Sequence, residues 1–182
     1  MNRGERIRTI IECLRRIEAG DADFAVFEDA DRPENFVQPA DFGTGLTYVE
    51  VTSRTWGEGE PLDGFQVESL AALGFSRIPS RNYAGFYAWR DPGCIARLIE
   101  SAFMILGSLP NFDLNVVRMG YFRLSPKDDA PWPSEIKQQA FERWMAETGR
   151  DGPVPDRCPG PPGEPAAHPD PAEWIRAKAG RT

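Results

Sequence analysis

Between residues 5 and 19 the apolar positions Ile7, Ile10, Ile11, Leu14 and Ile17 recur at three- and four-residue spacing, while Arg8, Arg15 and Arg16 fall on the opposite side. That period predicts an amphipathic helix, ended by Gly20. The period then changes. "DFAVFEDA", "DRPENFVQPAD" and "LTYVEVTSR" are extended runs separated by turn residues such as "DRP" and "FGTG", and they predict three consecutive strands in a meander. In the third run Thr47, Val49, Val51 and Ser53 alternate with Leu46, Tyr48, Glu50, Thr52 and Arg54. Neither face is purely apolar, so a sheet covered on one side only is expected. Helical spacing returns in "LDGFQVESLAALGF" through Leu62, Phe65, Ser69, Leu70 and Leu73, with Gly74 as a left-handed stop. A loop, "SRIPSR", leads into "NYAGFYAWR", a fourth strand with Tyr83, Tyr87 and Trp89 on one face and Phe86 on the other. Asp91 then caps a helix with Pro92 at its first position and Ile95, Leu98, Ile99, Ala102, Phe103 and Leu106 as its buried stripe. "FDLNVVRMGYFRL" adds a further strand or two. The fold class expected is α+β: helix, three-stranded antiparallel meander, helix, strand or strands, helix.

Beyond Leu124 the composition shifts, because eleven of the seventeen prolines lie from Pro126 onward. This divides the chain into a main domain over 1–125, an extension over 126–150 and a Pro-rich, largely disordered tail over 151–182. The extension holds one amphipathic helix, "SEIKQQAFERWMAETG", whose stripe of Ile136, Ala140, Phe141, Trp144 and Met145 needs a cover. Either the sheet or a partner can supply it. "DGPVPDRCPGPPGEPAAHPDP" reads as a linker, since proline fixes the backbone and removes donors, and "AEWIRAKAG" as a short helical turn.

The formal net charge of -7 is unevenly spread: residues 21 to 68 carry twelve Asp or Glu against two Arg, leaving the remainder slightly basic. A local acidic surface repels phosphate backbones and suits a basic or amphipathic polypeptide, so a protein partner is expected and nucleic acid is not. The longest apolar run, "CIARLIESAFMILGSL", is broken by Arg97 and Glu100 and falls short of the roughly 20 residues a membrane span needs. The charged N-terminal stretch lacks the apolar core of a secretory signal, which points to the cytoplasm.

Catalytic signals are weak. Cys13, Cys94 and Cys158 have no paired spacing, and the one histidine, His168, lies in a proline-rich stretch, so neither a metal site nor Cys-His chemistry is expected. Cys13 and Cys94, in helical patterns, read as buried inert thiols. "FGTG" sits between strands, where a hairpin turn fits and a phosphate loop does not. Glu50 with Glu28 or Glu68 is the best carboxylate pair available to a small hydrolase or transferase, against the simpler reading of solvated side chains on a sheet. Aromatic residues concentrate binding energy at interfaces, so Tyr48, Tyr83, Tyr87 and Trp89 are candidates for a peptide groove, while Phe86 is expected in the core. Trp56, just after the third strand, is expected to be exposed.

The stretches "NFVQPADFGTGLTYVEVTSRTW", "LDGFQVESLAALGF" and "NYAGFYAWRDP" resemble, in order and motif, the family that groups CesT-type type III secretion chaperones with YbjN proteins, in particular its actinobacterial TY-Chap branch. Val37, Gln38, Glu50, Leu70, Leu73, Gly74 and Phe75 fall on that pattern, over roughly residues 5 to 108. The resemblance implies a non-enzymatic, peptide-binding, chaperone-like domain with no cofactor, often dimeric, that holds an unfolded segment of a partner along its sheet. Gln38, Tyr48, Glu50, Trp56, Tyr83, Tyr87 and Trp89 are the expected contact residues. Pro39 departs from the pattern and, lacking a donor, suits an edge or a bulge. The alternative function is an immunity-type or structural subunit that caps a folded partner.

Overall fold

Asn2 and Glu5 start the first helix by reciprocal capping: the Glu5 amide donates to Asn2 Oδ1 at 3.0 Å and the Asn2 amide to Glu5 Oε2 at 2.8 Å. The computed structural model describes residues 1–54, 60–78, 82–87, 91–123 and 131–147. Trp56 and Trp89, Cys158, His168 and the tail over 151–182 lie outside them. In chain order the elements are α1 (Arg3–Glu18), β1 (Phe24–Asp29), β2 (Arg32–Asp41), β3 (Thr47–Val51), α2 (Gly64–Ala72), β4 (Ser76–Arg77), β5 (Tyr83–Tyr87), α3 (Pro92–Ile105), β6 (Leu114–Gly120) and α4 (Ser134–Glu147). The described residues thus form an α+β structure of four helices and a six-stranded antiparallel sheet, ordered β4-β5-β3-β2-β1-β6.

The local signals act as their chemistry requires. Asp63 and Gln66 form a second capping box at the start of α2, and the Gly74 φ of +97° supplies the turn that ends it. Asp91 accepts from the Gly93 amide ahead of Pro92 to open α3. The "SRIPSR" segment contributes the two-residue strand β4, which registers Ser76 with Ala84 and Arg77 with Tyr83. Pro39 is not at an edge: β2 is flanked by β3 and β1, and Pro39 registers with Val49. The ladder to β1 is registered at Ala40 and again at Val37, so the missing N–H falls in a gap of that ladder.

One face of the sheet is covered by α1, α2 and α3. Ile10, Leu14 and Ile17 from α1, Leu70 from α2, and Ile95, Leu98, Ile99, Ala102 and Phe103 from α3 pack there against Phe27, Val37, Val49, Val51, Tyr83 and Tyr87. Within this layer lies a charged pair. Arg6 and Glu100 are 1% and 2% exposed, and Arg6 Nε donates to Glu100 Oε2 at 3.1 Å. The guanidinium also donates to the carbonyls of Met1, Phe112 and Pro110 and lies over the Phe112 ring, joining α1, α3 and the loop before β6. Cys13 is a free, buried thiol whose pKa burial pushes up, Arg16 opposing. The free, buried Cys13 is thus the inert thiol that its helical position predicts.

The second face is not left to solvent, contrary to the one-sided sheet that the alternation in the third strand suggested. Phe24, Ala40, Phe42, Tyr48, Ala84 and Phe86 point to it, and Ala140, Phe141, Trp144 and Met145 of α4 pack against them. Tyr48 and Glu50 look like a mixed, wet face in sequence because their apolar cover is supplied from about ninety residues away.

Candidate functional site

Strand alternation places every second residue of β2, β3 and β5 on the face away from the three helices, and there Tyr48 and Phe86 join Phe24, Phe42 and Phe122 in one aromatic cluster. Phe42 lies 5.6 Å from Tyr48, edge to face, and 5.0 Å from Phe122, stacked. Tyr48 lies 5.2 Å from Phe86, and Phe24 stacks on Phe122 at the same spacing. These centroid distances are those of favourable aromatic pairs. The result is a continuous ring surface across β1, β2, β3 and β5.

α4 seats two of its own rings on that surface. Trp144 is 5.2 Å from both Phe42 and Tyr48, and Phe141 is 5.1 Å from Phe86. The approach to α4 is tied down as well: the Trp132 amide donates to the Phe122 carbonyl at 2.8 Å and its indole stacks on Phe122 at 5.1 Å. Lys137, one turn ahead of Phe141, reaches Asp23 at 2.5 Å. Asp23 is 6% exposed and its other oxygen accepts from the Phe122 amide at 2.9 Å. Even so, no residue of α4 is fully buried, and the buried Trp132 Nε1 has no hydrogen-bond partner among the described residues.

Glu50 lies beside the aromatic surface with both oxygens engaged. Its Oε2 accepts from the Tyr48 hydroxyl at 2.8 Å and its Oε1 from Asn82 Nδ2 at 2.6 Å, while Asn82 Oδ1 accepts from the Ser53 amide at 2.8 Å. The carboxylate therefore orients Tyr48 and ties β3 to the chain entering β5. Glu68 is exposed on α2, on the opposite side of the sheet from Glu50. Glu28 shares Glu50's face, but registers with Phe36 while Glu50 registers with Gln38. Two strands of lateral offset and two residues along the strand set the two backbone positions about 12 Å apart, and the Glu50 carboxylate is already engaged by Tyr48 and Asn82.

Of the expected contact residues, Gln38, Tyr48 and Glu50 come together on the aromatic face. Tyr83 and Tyr87 do not join them. Residues at odd positions of β5 turn toward the helices, where Tyr83 and Tyr87 are 6% and 0% exposed and the Tyr87 hydroxyl donates to the Leu73 carbonyl at 3.0 Å. As partner contacts these two tyrosines are corrected: they are core under the helices. Phe86, expected in the core, is 3% exposed and lies in the second, α4-covered cluster. Sequence reasoning did not single out Phe24, Phe42, Phe122, Trp132 or the Asp23–Lys137 pair. The first three follow Asp23, Asp41 and Tyr121 among turn-like residues, so only the register shows that they share a face.

A separate cavity of about 330 Å³ opens among α1, the turn between β2 and β3 and the start of α3, lined by residues that include Leu14, Ile17, Asp41, Thr47, Pro92 and Ile95. None of the described residues among the expected contacts lines it. Among the described residues no group of three or more His, Cys, Asp or Glu could hold a metal ion, and no helix is long and apolar enough to cross a membrane. Neither a protein-family model, nor a curated protein, nor a solved structure matches the chain.

Proposed function

We propose that this chain is a non-enzymatic, peptide-binding, chaperone-like module of the TY-Chap and YbjN kind, working in the cytoplasm, that holds an unfolded or extended segment of another protein. The observation that carries this reading is the unequal cladding of the sheet. Three helices close one face with a dense apolar core, whereas the other presents a sheet of aromatic rings under a single helix without one fully buried residue. Rings of this kind bind apolar side chains with little entropic cost, and acidic residues concentrated in the first third of the chain favour a basic or amphipathic segment. Gln38, Tyr48 and Glu50 would line that surface.

The test is capture of partners by the full chain, followed by hydrogen-exchange footprinting of the complex. Protection of a short segment of the partner, together with altered exchange at residues 40–48 and 84–86, is the expected result; a complex in which the partner is protected over a whole folded surface would instead favour the capping-subunit reading. A second mode of docking has its own support in β6, whose outer edge pairs with no described strand and which exposes Val116 at 41% and Val117 at 53%. An extended segment, or a second copy forming a homodimer, would add there as a further strand.

A further inference from the structure

We propose that the aromatic face is built to take a basic amphipathic helix of another protein, and that α4 is the intramolecular helix occupying it until that partner displaces it. This rests on the peptide-binding reading above and names the partner's chemistry.

Asp23 defines the requirement. Its carboxylate is held at the rim of the ring surface by the β-sheet itself, through the Phe122 amide on one oxygen, and its backbone is locked between Gly120 and Asp41. The sheet thus keeps the aspartate at this rim whichever helix lies on the rings. A carboxylate so enclosed needs a cation on its other oxygen, which Lys137 now provides. Any helix that replaces α4 must therefore bring a lysine or arginine to the same place. Four residues after it an aromatic side chain must meet Phe86 and Phe42, as Phe141 does, and seven residues after it a second large ring must meet Tyr48 and Phe42, as Trp144 does. The occupant is thus a helix with a cation, a ring at the fourth following position and another at the seventh, which lie on one face at helical spacing.

Two features of α4 make it a replaceable occupant. It buries no residue completely, whereas α1 on the other face buries five and α3 nine. The Trp132 indole N–H just ahead of it is also buried without an acceptor among the described residues, so release of α4 returns this donor to water. Against this stands proximity: a tethered helix competes at an effective concentration on the order of millimolar. A partner helix succeeds by being longer, or by covering more of the rings than Phe141 and Trp144 do.

The experiment uses a fluorescein-labelled peptide with the sequence of residues 131–147 and the full chain in two forms, wild type and Phe141→Ser/Trp144→Ser, with circular dichroism confirming that the variant is folded. The variant should bind the peptide at least tenfold more tightly than wild type, because its own helix no longer competes. A peptide carrying glutamine at the position of Lys137 should bind the variant at least tenfold more weakly. The single variant Lys137→Gln offers a milder release should the double variant unfold, and should bind the unaltered peptide more tightly than wild type. Equal affinity of wild type and released variants overturns the displacement, and equal affinity of the lysine and glutamine peptides overturns the basic requirement. Hydrogen exchange separates the inference from the reading under it: peptide protection at β6 instead of at residues 40–48 and 84–86 would leave a peptide-binding module standing and remove the aromatic face as its site. A wild-type dimer that the peptide converts to monomer would assign the face to α4 of a second copy and overturn the partner.

Discussion

The indole of Trp144 lies with its centroid 5.2 Å from the ring of Tyr48, and the Tyr48 hydroxyl donates to Glu50 at 2.8 Å, so one tyrosine is fixed by α4 at its face and by its own strand at its tip. The two attachments can be separated. Tyr48→Phe removes the hydroxyl, leaves the ring contacts, and should cost about 1–2 kcal/mol of unfolding free energy. Tyr48→Ala also removes a ring that is 1% exposed and should cost about 3–5 kcal/mol. Urea titrations of both variants measure this. Equal losses would mean that the ring contributes nothing beyond its hydroxyl, and that α4 does not rest on it.

Arg6 and Glu100 make a different prediction, because the ion pair is closed off from water. Glu100→Ala leaves the guanidinium with its three carbonyls but without a counter-charge, and should destabilise by about 3–5 kcal/mol. The double variant Arg6→Met/Glu100→Leu replaces both ends with apolar groups of similar volume and should recover most of that loss. A double variant less stable than Glu100→Ala alone would show that the carbonyl contacts of Arg6, rather than the pair, hold the start of α1.

What the sequence displayed and what it hid follow from range. The Asp91-Pro92 start and the Gly74 stop are local, and with periodicity they located the helices and main strands; the capping pairs Asn2 with Glu5 and Asp63 with Gln66 are equally local but went unread. The Arg6–Glu100 pair was invisible because Arg6 sits among charged residues and reads as part of the wet side of its helix, while Glu100 reads as a flaw in an apolar run. The aromatic face was half legible. Tyr48 and Glu50 fall together because the alternation of β3 is read directly from the chain, whereas Gln38 came from the resemblance and is brought beside Glu50 by the register of β2 with β3. Tyr83 and Tyr87 were grouped with Tyr48 because alternation tells which residues of a strand agree, and not which set faces the helices. The cover over Tyr48 comes from α4, whose position no neighbouring residue encodes.

Gly85 connects the strand to the buried tyrosine. A Cβ at this position would come within 2.7 Å of Tyr87 ring atoms and 2.5 Å of its hydroxyl oxygen. The ring has little room to yield, being fully buried and edge to face with Phe75 at 5.8 Å. Gly85→Ala should therefore cost about 1–3 kcal/mol through overpacking. Adding Tyr87→Leu, which removes the obstructing ring, should make the alanine nearly harmless relative to Tyr87→Leu alone. A thermodynamic cycle over the four proteins reads the coupling, and strictly additive losses would show that Gly85 is required for some other reason.

The outer edge of β6 carries the last prediction. The register with β1 shifts between Val26 and Phe27, so that Val26 meets Arg118, Phe27 meets Val116, and Val117 is left as the bulged residue. A bulge ordinarily blunts an edge, and Arg118 beside it adds a charge. Yet Val116 and Val117 remain 41% and 53% exposed, a pair of β-branched side chains on a strand whose outer edge has no described neighbour. Two such edges can meet antiparallel across a two-fold axis, each supplying the same groups to the other. The full chain should accordingly self-associate as its concentration rises, and Val117→Lys, which sets two like charges close together at that axis, should raise the dimer dissociation constant at least tenfold with little change in unfolding free energy, since the side chain is outside the core. Sedimentation velocity across a dilution series measures both proteins. If wild type and Val117→Lys sediment alike at every concentration, the edge is not the dimer contact, and the exposed valines are left for an extended segment of another protein, which the same lysine should then weaken.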